Sequence, residues 1–458
     1  MAIAPDQLTI ESFGRKLRAG EVTSVEVTDE CLRRIAGDNG RLKAFISVLA
    51  DQARAQARDA DRDLAAGLDR GPLHGVPISV KDLIDVRGVP TTAASRVREG
   101  HIAERDAPAI ANLRRAGAVF IGKTNLHEFA FGTTSEDSAF GPVRNPYDLS
   151  RSPGGSSGGS AVSIAAGMAL ATIGTDTGGS IRIPAAACGV VGLKPTYGEV
   201  STDGVVPLSH TLDHVGPLAR TVADAWLMYR SFLGAGSHRV APGISPLTPI
   251  PVTGLRLAVP RDYFVDLLDD GVRKRFEESL DRLQQAGAHV DTTTIRHAGD
   301  IASIYLTIVL GDAAAYHART LDAMPERYTA PVRIRLEMGR YVLAEDYVRA
   351  LKGREVLRLE VDAILSECDA LVLPTLPIPA PLLGATSIKL GDRDEPVRNL
   401  MLRLTQLFNL TGHPAISVPC GRAAGLPCGL QFVGARAKTE GLVRVALACE
   451  PHLQDGSS

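Results

Sequence analysis

The 458-residue sequence has few cysteines, and their spacing argues against a structural zinc site and against a disulfide framework. Six cysteines are scattered along the chain without a CxxC pair and without a Cys/His pattern at metal-ligand spacing. A structural zinc site needs such a pattern, and a disulfide framework is typical of much shorter secreted chains. We therefore expect reduced thiols, no bound metal and no cofactor.

The sequence also lacks an excess of charge of either sign. Lysine and arginine number 50 and aspartate and glutamate 52, which gives a net charge of −2, and only 5% of the residues are aromatic. Nucleic acids and anionic membranes attract basic patches, and unpaired bases stack on aromatic platforms. The composition therefore predicts neither a nucleic-acid partner nor a membrane partner.

Long hydrophobic runs are missing as well. No run of 18 apolar residues occurs, and the longest candidate, residues 161–173, is too short to span a bilayer. The N-terminus lacks the basic start, apolar run and small-residue cleavage site of a signal peptide. These absences predict a cytoplasmic protein.

What the sequence has is an alternation of short apolar runs with amphipathic segments. Hydrophobic residues make up 45% of the chain, which is enough for a packed core. Apolar runs predict strands, and helical periodicity predicts helices between them, as in an α/β fold. The predicted strands are 76–80, 119–122, 169–173, 255–259, 370–373 and 415–418, and the longer predicted helices are 51–66, 106–117, 222–234, 271–287, 298–323, 343–367 and 436–450. A Pro/Gly-rich segment at 235–254 is interpreted as a surface crossing within one domain.

Two Gly/Ser-rich segments stand out between residues 141 and 204. They read PGGSSGGSAVSIAAG (153–167) and GTDTGGSIRIP (174–184). Successive backbone N–H groups in such turns can converge on an anion, either a phosphate or the oxyanion of acyl transfer. The P-loop pattern is absent because Ser160, not lysine, follows Gly159, and no GxGxxG follows a strand. The pattern favours an acyl-transfer site over a phosphate site or a flexible linker.

A serine nucleophile in such a site needs a base. None of the eleven histidines is fixed by a motif such as GxSxG. A neutral lysine is the other option, and neutralising it at pH 7 costs about 4–5 kcal/mol, a shift that burial can provide. Lys81 follows the apolar run 76–80 directly and fits this role.

At these residues the sequence resembles the amidase signature family. GTDTGGSIRIPAAACGVVGLKPTYG and PGGSSGGSAVSIAAG are similar to its signature, and HGVPISVKDLIDVRGVPTT is similar to its lysine segment. The resemblance extends over residues 10–450. It implies a single large α/β domain over 1–458, with a central mixed twisted β-sheet covered by helices on both faces. Within it we expect an N-terminal helical region (1–65), a signature core (70–225) and a part (235–458) with variable substrate-pocket helices and the C-terminal strands.

The resemblance also implies a role for individual residues. Ser180 matches the family's nucleophile, Ser156, held by a cis peptide bond, matches its proton relay, and Lys81 matches its base. The supporting residues that it implies are the oxyanion-hole donors Thr177, Gly178 and Gly179, the hydrogen-bonding residues Ser157 and Thr175, and the acyl-pocket segment Phe129, Ala130 and Phe131. Asp176 is interpreted as a structural residue that bonds the loop or pairs with Arg182.

The implied reaction converts a small-molecule carboxamide into a carboxylate and ammonia or an amine through an acyl-enzyme on Ser180. A homodimer is compatible with this interpretation. The alternative within the family is the ammonia-generating subunit of glutamine-dependent tRNA amidotransferases, which works inside a complex. That protein has aspartate in place of His127 and an acid in place of Leu402, seven residues before Asn409. Both departures favour a stand-alone amidase.

Substrate specificity is expected to come from residues 300–350 and 375–410. Arg333, Arg335 and Arg340 lie in the first of these segments. They could bind an anionic substrate, but our interpretation favours a solvated helix face.

Overall fold

The computed structural model describes residues 4–233 and 247–453, so most of the predicted crossing at 235–254 lies outside the described residues. Within them the chain forms one large mixed sheet and a separate hairpin. The strands are β1 (Phe45–Val48), β2 (Pro77–Lys81), β3 (Val119–Thr124), β4 (Ala171–Asp176), β5 (Val191–Lys194), β6 (His214–Ala219), β7 (Arg256–Pro260), β8 (His289–Thr293), β9 (Ala370–Pro374), β10 (Ser387–Leu390), β11 (Arg393–Pro396), β12 (Ala415–Ala423) and β13 (Leu426–Val433). The hairpin consists of β10 and β11.

The large sheet has the strand order β1-β3-β2-β4-β6-β5-β12-β13-β9-β7-β8. Strand β2 runs parallel to β3 and to β4, and β7 runs parallel to β8 and to β9. The remaining neighbours pair antiparallel. The predicted mixed sheet is thus confirmed.

Helices flank this sheet, as predicted for a single α/β domain. They are α1 (Ile10–Arg18), α2 (Ser24–Leu42), α3 (Ala50–Ala65), α4 (Pro108–Arg115), α5 (Gly158–Ala165), α6 (Arg182–Cys188), α7 (Val222–Leu233), α8 (Asp270–Gln285), α9 (Ile301–Ala323), α10 (Ala330–Gly339), α11 (Ala344–Leu365), α12 (Val397–Arg403), α13 (Leu407–Leu410) and α14 (Thr439–Leu453). Each of the longer helices predicted from the sequence is present, with ends that differ by a few residues.

Two of the strands that the sequence analysis missed contain residues that are uncommon in strands. Strand β6 includes Gly216 and Pro217, and β13 includes Pro427, Gly429 and the buried amide Gln431. Such residues weaken a local strand signal, because strand propensity reports how a side chain fits a pleated, half-buried surface. These strands form because their neighbours in the sheet pair with them.

One helical segment of the described residues, 298–323, is long and apolar enough to cross a membrane by length and composition. Of its most apolar window, 44% is buried inside the protein, and the core helix of a globular protein passes the same test. Its helix α9 packs against α10 and α11. The cytoplasmic location therefore stays a prediction.

The order of the strands positions the lysine segment and the Gly/Ser segments at one edge of the sheet. Strands β2 and β4 are neighbours in parallel, with Val80 opposite Ile173, and every residue of both strands is buried. Near-continuous apolar runs are expected where a strand is covered on both faces. Parallel strands end at the same edge, so Lys81 and Thr175 lie side by side.

Candidate active site

Lys81, the last residue of β2, is completely buried among hydroxyl groups. Its Nζ lies 2.8 Å from Ser156 Oγ, 2.8 Å from Ser157 Oγ and 2.7 Å from Thr175 Oγ1. Burial lowers the pKa of Lys81 to about 7, although the charges of Asp176 and Asp213 oppose this. The amine is therefore placed to exchange a proton at neutral pH.

The loop before α5 holds Ser156 and Ser157 against the lysine. The peptide bond between Gly155 and Ser156 is cis. The hydroxyl of Ser157 donates to the Thr175 carbonyl at 3.1 Å, and the backbone N–H of Ser157 donates to the Ser180 carbonyl at 3.1 Å. The second contact brings the turn that carries Ser180 next to Ser156.

Ser180 lies in the turn between β4 and α6, after Thr177, Gly178 and Gly179. In the described part of the chain, the N–H groups of Thr177, Gly178 and Gly179 donate to no other protein atom. Gly179 has φ = +139°, a conformation that only glycine adopts readily. The turn therefore offers free backbone donors beside a serine hydroxyl.

A buried ion pair connects the two ends of this turn. Arg182 donates from Nε and Nη2 to the two carboxylate oxygens of Asp176 at 3.0 and 2.9 Å, and both side chains are fully buried. Burial by itself would raise the pKa of Asp176, but the charge of Arg182 holds it well below its usual range. Asp176 also accepts the backbone N–H of Ile181 at 3.1 Å. Asp176 therefore stabilises the turn through these bonds, as the sequence analysis predicted.

Three residues that the sequence analysis did not single out for this site fix the same turn. Asn409 donates its amide to the Asp176 carbonyl at 2.9 Å and accepts from Arg182 at 2.6 Å. Thr405 donates to the Gly178 carbonyl at 2.6 Å. Asp213 accepts the Thr177 hydroxyl at 2.6 Å. No local pattern identifies them, because Asp213 lies 36 residues from Thr177, Thr405 lies 227 residues from Gly178 and Asn409 lies 233 residues from Asp176.

The segment Phe129–Phe131 is buried near the connecting stretch of the signature. The Phe129 ring lies against His317 with the ring centroids 4.3 Å apart, and Phe129 and Ala130 both have positive φ. These contacts describe a packed wall. The role of the segment in binding an acyl group stays a prediction.

His127 precedes this segment and is buried beside the relay serine. Its backbone N–H donates to the Ser156 carbonyl at 3.2 Å, and its Nε2 lies 3.0 Å from Asp137 Oδ2. Burial lowers the pKa of His127, while Asp137 opposes this shift.

Tyr305 and Leu402 close the space in front of the oxyanion turn. A methyl group added at Gly178 would meet Tyr305 Oη and would lie 3.0 Å from Leu402 Cδ2. Both side chains are buried. Leu402 is thus at the site itself, where the alternative function would need an acid.

The sequence analysis interpreted Arg333, Arg335 and Arg340 as a solvated helix face. This interpretation is wrong for Arg335. Its Nη1 donates to the Phe131 carbonyl at 2.6 Å, and burial lowers its pKa to about 10. Arg340, by contrast, is exposed and pairs with Asp322. The helix turns one of its arginines inward because α10 packs along α9 above the Phe129–Phe131 segment.

The chain is similar to known proteins along most of its length. The family model described as Amidase matches residues 26–443. The chain is similar to the A subunit of glutamyl-tRNA(Gln) amidotransferase of Roseiflexus sp. (strain RS-1), with 41% identity over 96% of this chain and 95% of that protein.

Solved structures of an amidase and of an amidotransferase A subunit are also similar to this chain. A crystal structure of an amidase has a TM-score of 0.91 and 38% identity, covering 97% of this chain and 100% of that chain. The A subunit of glutamyl-tRNA(Gln) amidotransferase from Thermotoga maritima has a TM-score of 0.78 and 35% identity, covering 97% and 94%. The chain therefore belongs to the amidase signature family, whose enzymes hydrolyse the C–N bond of amides.

Proposed function

We propose that the chain hydrolyses a small carboxamide through an acyl-enzyme on Ser180, with Ser156 as proton relay and Lys81 as base. One observation carries the proposal: a fully buried lysine amine at hydrogen-bond distance from three hydroxyl groups. A neutral amine has two N–H donors and one lone pair. With three hydroxyl partners it can donate to two and accept from the third.

The hydrogen bonds around Lys81 exclude one hydroxyl as the proton donor. Ser157 uses its own proton on the Thr175 carbonyl, so it accepts from the lysine. The hydroxyls of Ser156 and Thr175 each contact only Lys81 among the described side chains, so either could donate its proton to the lone pair of the amine. We assign this role to Ser156, because its neighbour Ser157 is bonded to the turn that carries Ser180.

The reaction then proceeds in two halves. The Ser180 oxygen attacks the amide carbon while its proton passes to Ser156 and the Ser156 proton passes to Lys81. The N–H groups of Thr177, Gly178 and Gly179 stabilise the oxyanion. The C–N bond breaks as the proton returns to the leaving nitrogen, which releases ammonia or an amine. Water attacks the acyl-enzyme by the same relay and releases the carboxylate.

A second candidate is the glutaminase component of a glutamine-dependent tRNA amidotransferase. The relatives by sequence favour it over a stand-alone enzyme, because the Roseiflexus protein and others at 36–40% identity are named as A subunits of glutamyl-tRNA(Gln) amidotransferase. Two side chains favour a stand-alone amidase instead. Leu402 offers no charge to a substrate ammonium, and His127 replaces an aspartate.

Ammonia release from the isolated chain separates the two candidates. The substrates are glutamine and a panel of simple primary amides, each tested with and without the other subunits of a bacterial amidotransferase. Hydrolysis of a simple amide by the chain alone supports the stand-alone enzyme. Activity with glutamine alone, and only after the partner subunits are added, supports the second candidate.

The nucleophile is tested by covalent labelling. An organophosphonyl fluoride should add one label to the folded chain, at Ser180, and Ser180→Ala should remove both the label and the activity. Ser201→Ala, in an exposed loop, is the matched control and should change neither. Full amide turnover by Ser180→Ala would overturn the proposal.

A further inference from the structure

Arg398, on α12, carries a guanidinium group on a cavity that Tyr305 and Leu402 also line. Its Nε is buried and has no hydrogen-bond acceptor, and no ion pair joins it to a carboxylate among the described residues. Burial lowers the pKa of Arg398, and the neighbouring Tyr305 opposes this shift. The residue as a whole is half-buried, so the unmatched donor is the Nε–H, and a buried N–H normally finds an acceptor.

The surroundings add positive rather than negative charge. Burial and then the charge of Arg398 lower the pKa of Arg335, while Asp137 opposes them. Asp137 is itself engaged with His127, 3.0 Å away. Arg335 already donates to the Phe131 carbonyl, whereas Arg398 has no ion pair among the described residues. Arg398 is the cation left to bind something else.

The position of Arg398 connects it to the acyl-transfer site. Arg398, Tyr305 and Leu402 line one cavity of about 300 Å³. Tyr305 and Leu402 are the side chains that a methyl group at Gly178 would touch. Glu395 lies on the same cavity but forms no ion pair with Arg398 in the described part of the chain. Tyr305 and Leu402 thus border both the cavity that Arg398 lines and the oxyanion turn.

We infer that Arg398 selects carboxamides whose acyl chain carries a carboxylate, and that this carboxylate supplies the missing partner of the guanidinium. The inference rests on the amide hydrolysis proposed above and adds the substrate class. A guanidinium binds a carboxylate through two parallel N–H donors, which fixes its position as well as its charge. Leu402 gives no acid that would hold an α-ammonium group, so a carboxylate without a neighbouring amine fits best.

The test compares two amides of similar shape. Glutaric acid monoamide carries the carboxylate, and 5-methylhexanamide has an isopropyl group in its place. We expect kcat/KM to be about 10- to 100-fold higher for the monoamide, as for a hydrogen bond to a charged group. We also expect kcat/KM to be higher for the monoamide than for glutamine, which differs from it by the α-amino group.

Variants locate the effect at Arg398. Arg398→Gln should reduce the ratio of the two kcat/KM values to near one, mainly through KM of the monoamide, and Arg398→Lys should retain part of the preference. The control Arg340→Gln removes an exposed arginine that follows α10 and should leave the ratio unchanged.

The outcomes separate the substrate preference from the hydrolysis itself. If the wild-type chain hydrolyses both amides with equal kcat/KM, or if Arg398→Gln keeps the full preference, the inference is wrong while amide hydrolysis stands. The wild-type ratio decides this even if a variant fails to fold. If neither these amides nor any simple amide is hydrolysed, the proposed function fails together with the inference.

Discussion

The pH dependence of turnover follows from the burial of Lys81. Burial lowers the pKa of its amine from 10.5 to about 7, which corresponds to about 5 kcal/mol against the charged form. The base is active when it is neutral. At pH 7 about half of the molecules should therefore hold a neutral Lys81, compared with roughly one in 3,000 for an ordinary lysine.

The expected profile has a definite shape. Below the pKa, kcat/KM should fall about tenfold for each pH unit, so the loss between pH 8 and pH 5 is roughly 100-fold. Above pH 8 it should reach a plateau. The assay is initial-rate ammonia release from one simple amide between pH 5 and pH 10, with circular dichroism at each pH to confirm that the chain is folded.

Substitutions check the assignment of this titration. Lys81→Met should lower kcat by several orders of magnitude, whereas Lys389→Met, on the exposed strand β10, should leave the profile unchanged. Asp213→Asn should move the inflection to lower pH, because the charge of Asp213 raises the pKa of Lys81. A rate that keeps rising to pH 10, or that does not change between pH 5 and pH 8, would refute the assignment of Lys81 as the titrating base.

Two further predictions concern the turn that carries Ser180. Asp176→Asn leaves Arg182 as an unpaired buried cation and should cost about 3–5 kcal/mol of unfolding free energy, whereas Asp322→Asn, in an exposed pair, should cost under about 1 kcal/mol. Urea unfolding of the variants measures both, and equal effects would contradict the structural role. Gly178→Ala places a methyl group against Tyr305 and should lower kcat/KM about 100-fold or more by displacing an oxyanion donor. Normal kinetics with that variant would remove Gly178 from the oxyanion hole.

The helices and strands that the sequence predicted correctly have a clear helical periodicity or a clear apolar run. Strand β2 is apolar up to its terminal lysine except for Ser79, and α8 is amphipathic, so both are visible within a few residues of chain. Strand β6 contains Gly216 and Pro217 and forms by pairing with β4 and β5. A strand of that kind has no local signal to detect.

The arginines in and next to α10 also differ in a way that local sequence does not show. In the sequence Arg333, Arg335 and Arg340 are equivalent positively charged residues. The packing of α10 along α9 decides that Arg335 reaches the Phe131 carbonyl and Arg340 stays exposed. Charge alone therefore does not predict which of them contacts the Phe129–Phe131 segment.

The grouping of Lys81 with Ser156 and Ser180 came only from a family resemblance, and their catalytic roles stay a prediction. The sequence by itself determined the Gly/Ser turns and the position of Lys81 at the end of an apolar run. Both features lie in short contiguous segments, so local residues define them. Only the tertiary structure decided which side chains support the turn. Thr405 lies 227 residues from Gly178, and Asn409 lies 227 residues from Arg182. Contacts over such distances depend on the strand order of the sheet and on helix packing, which no local pattern encodes.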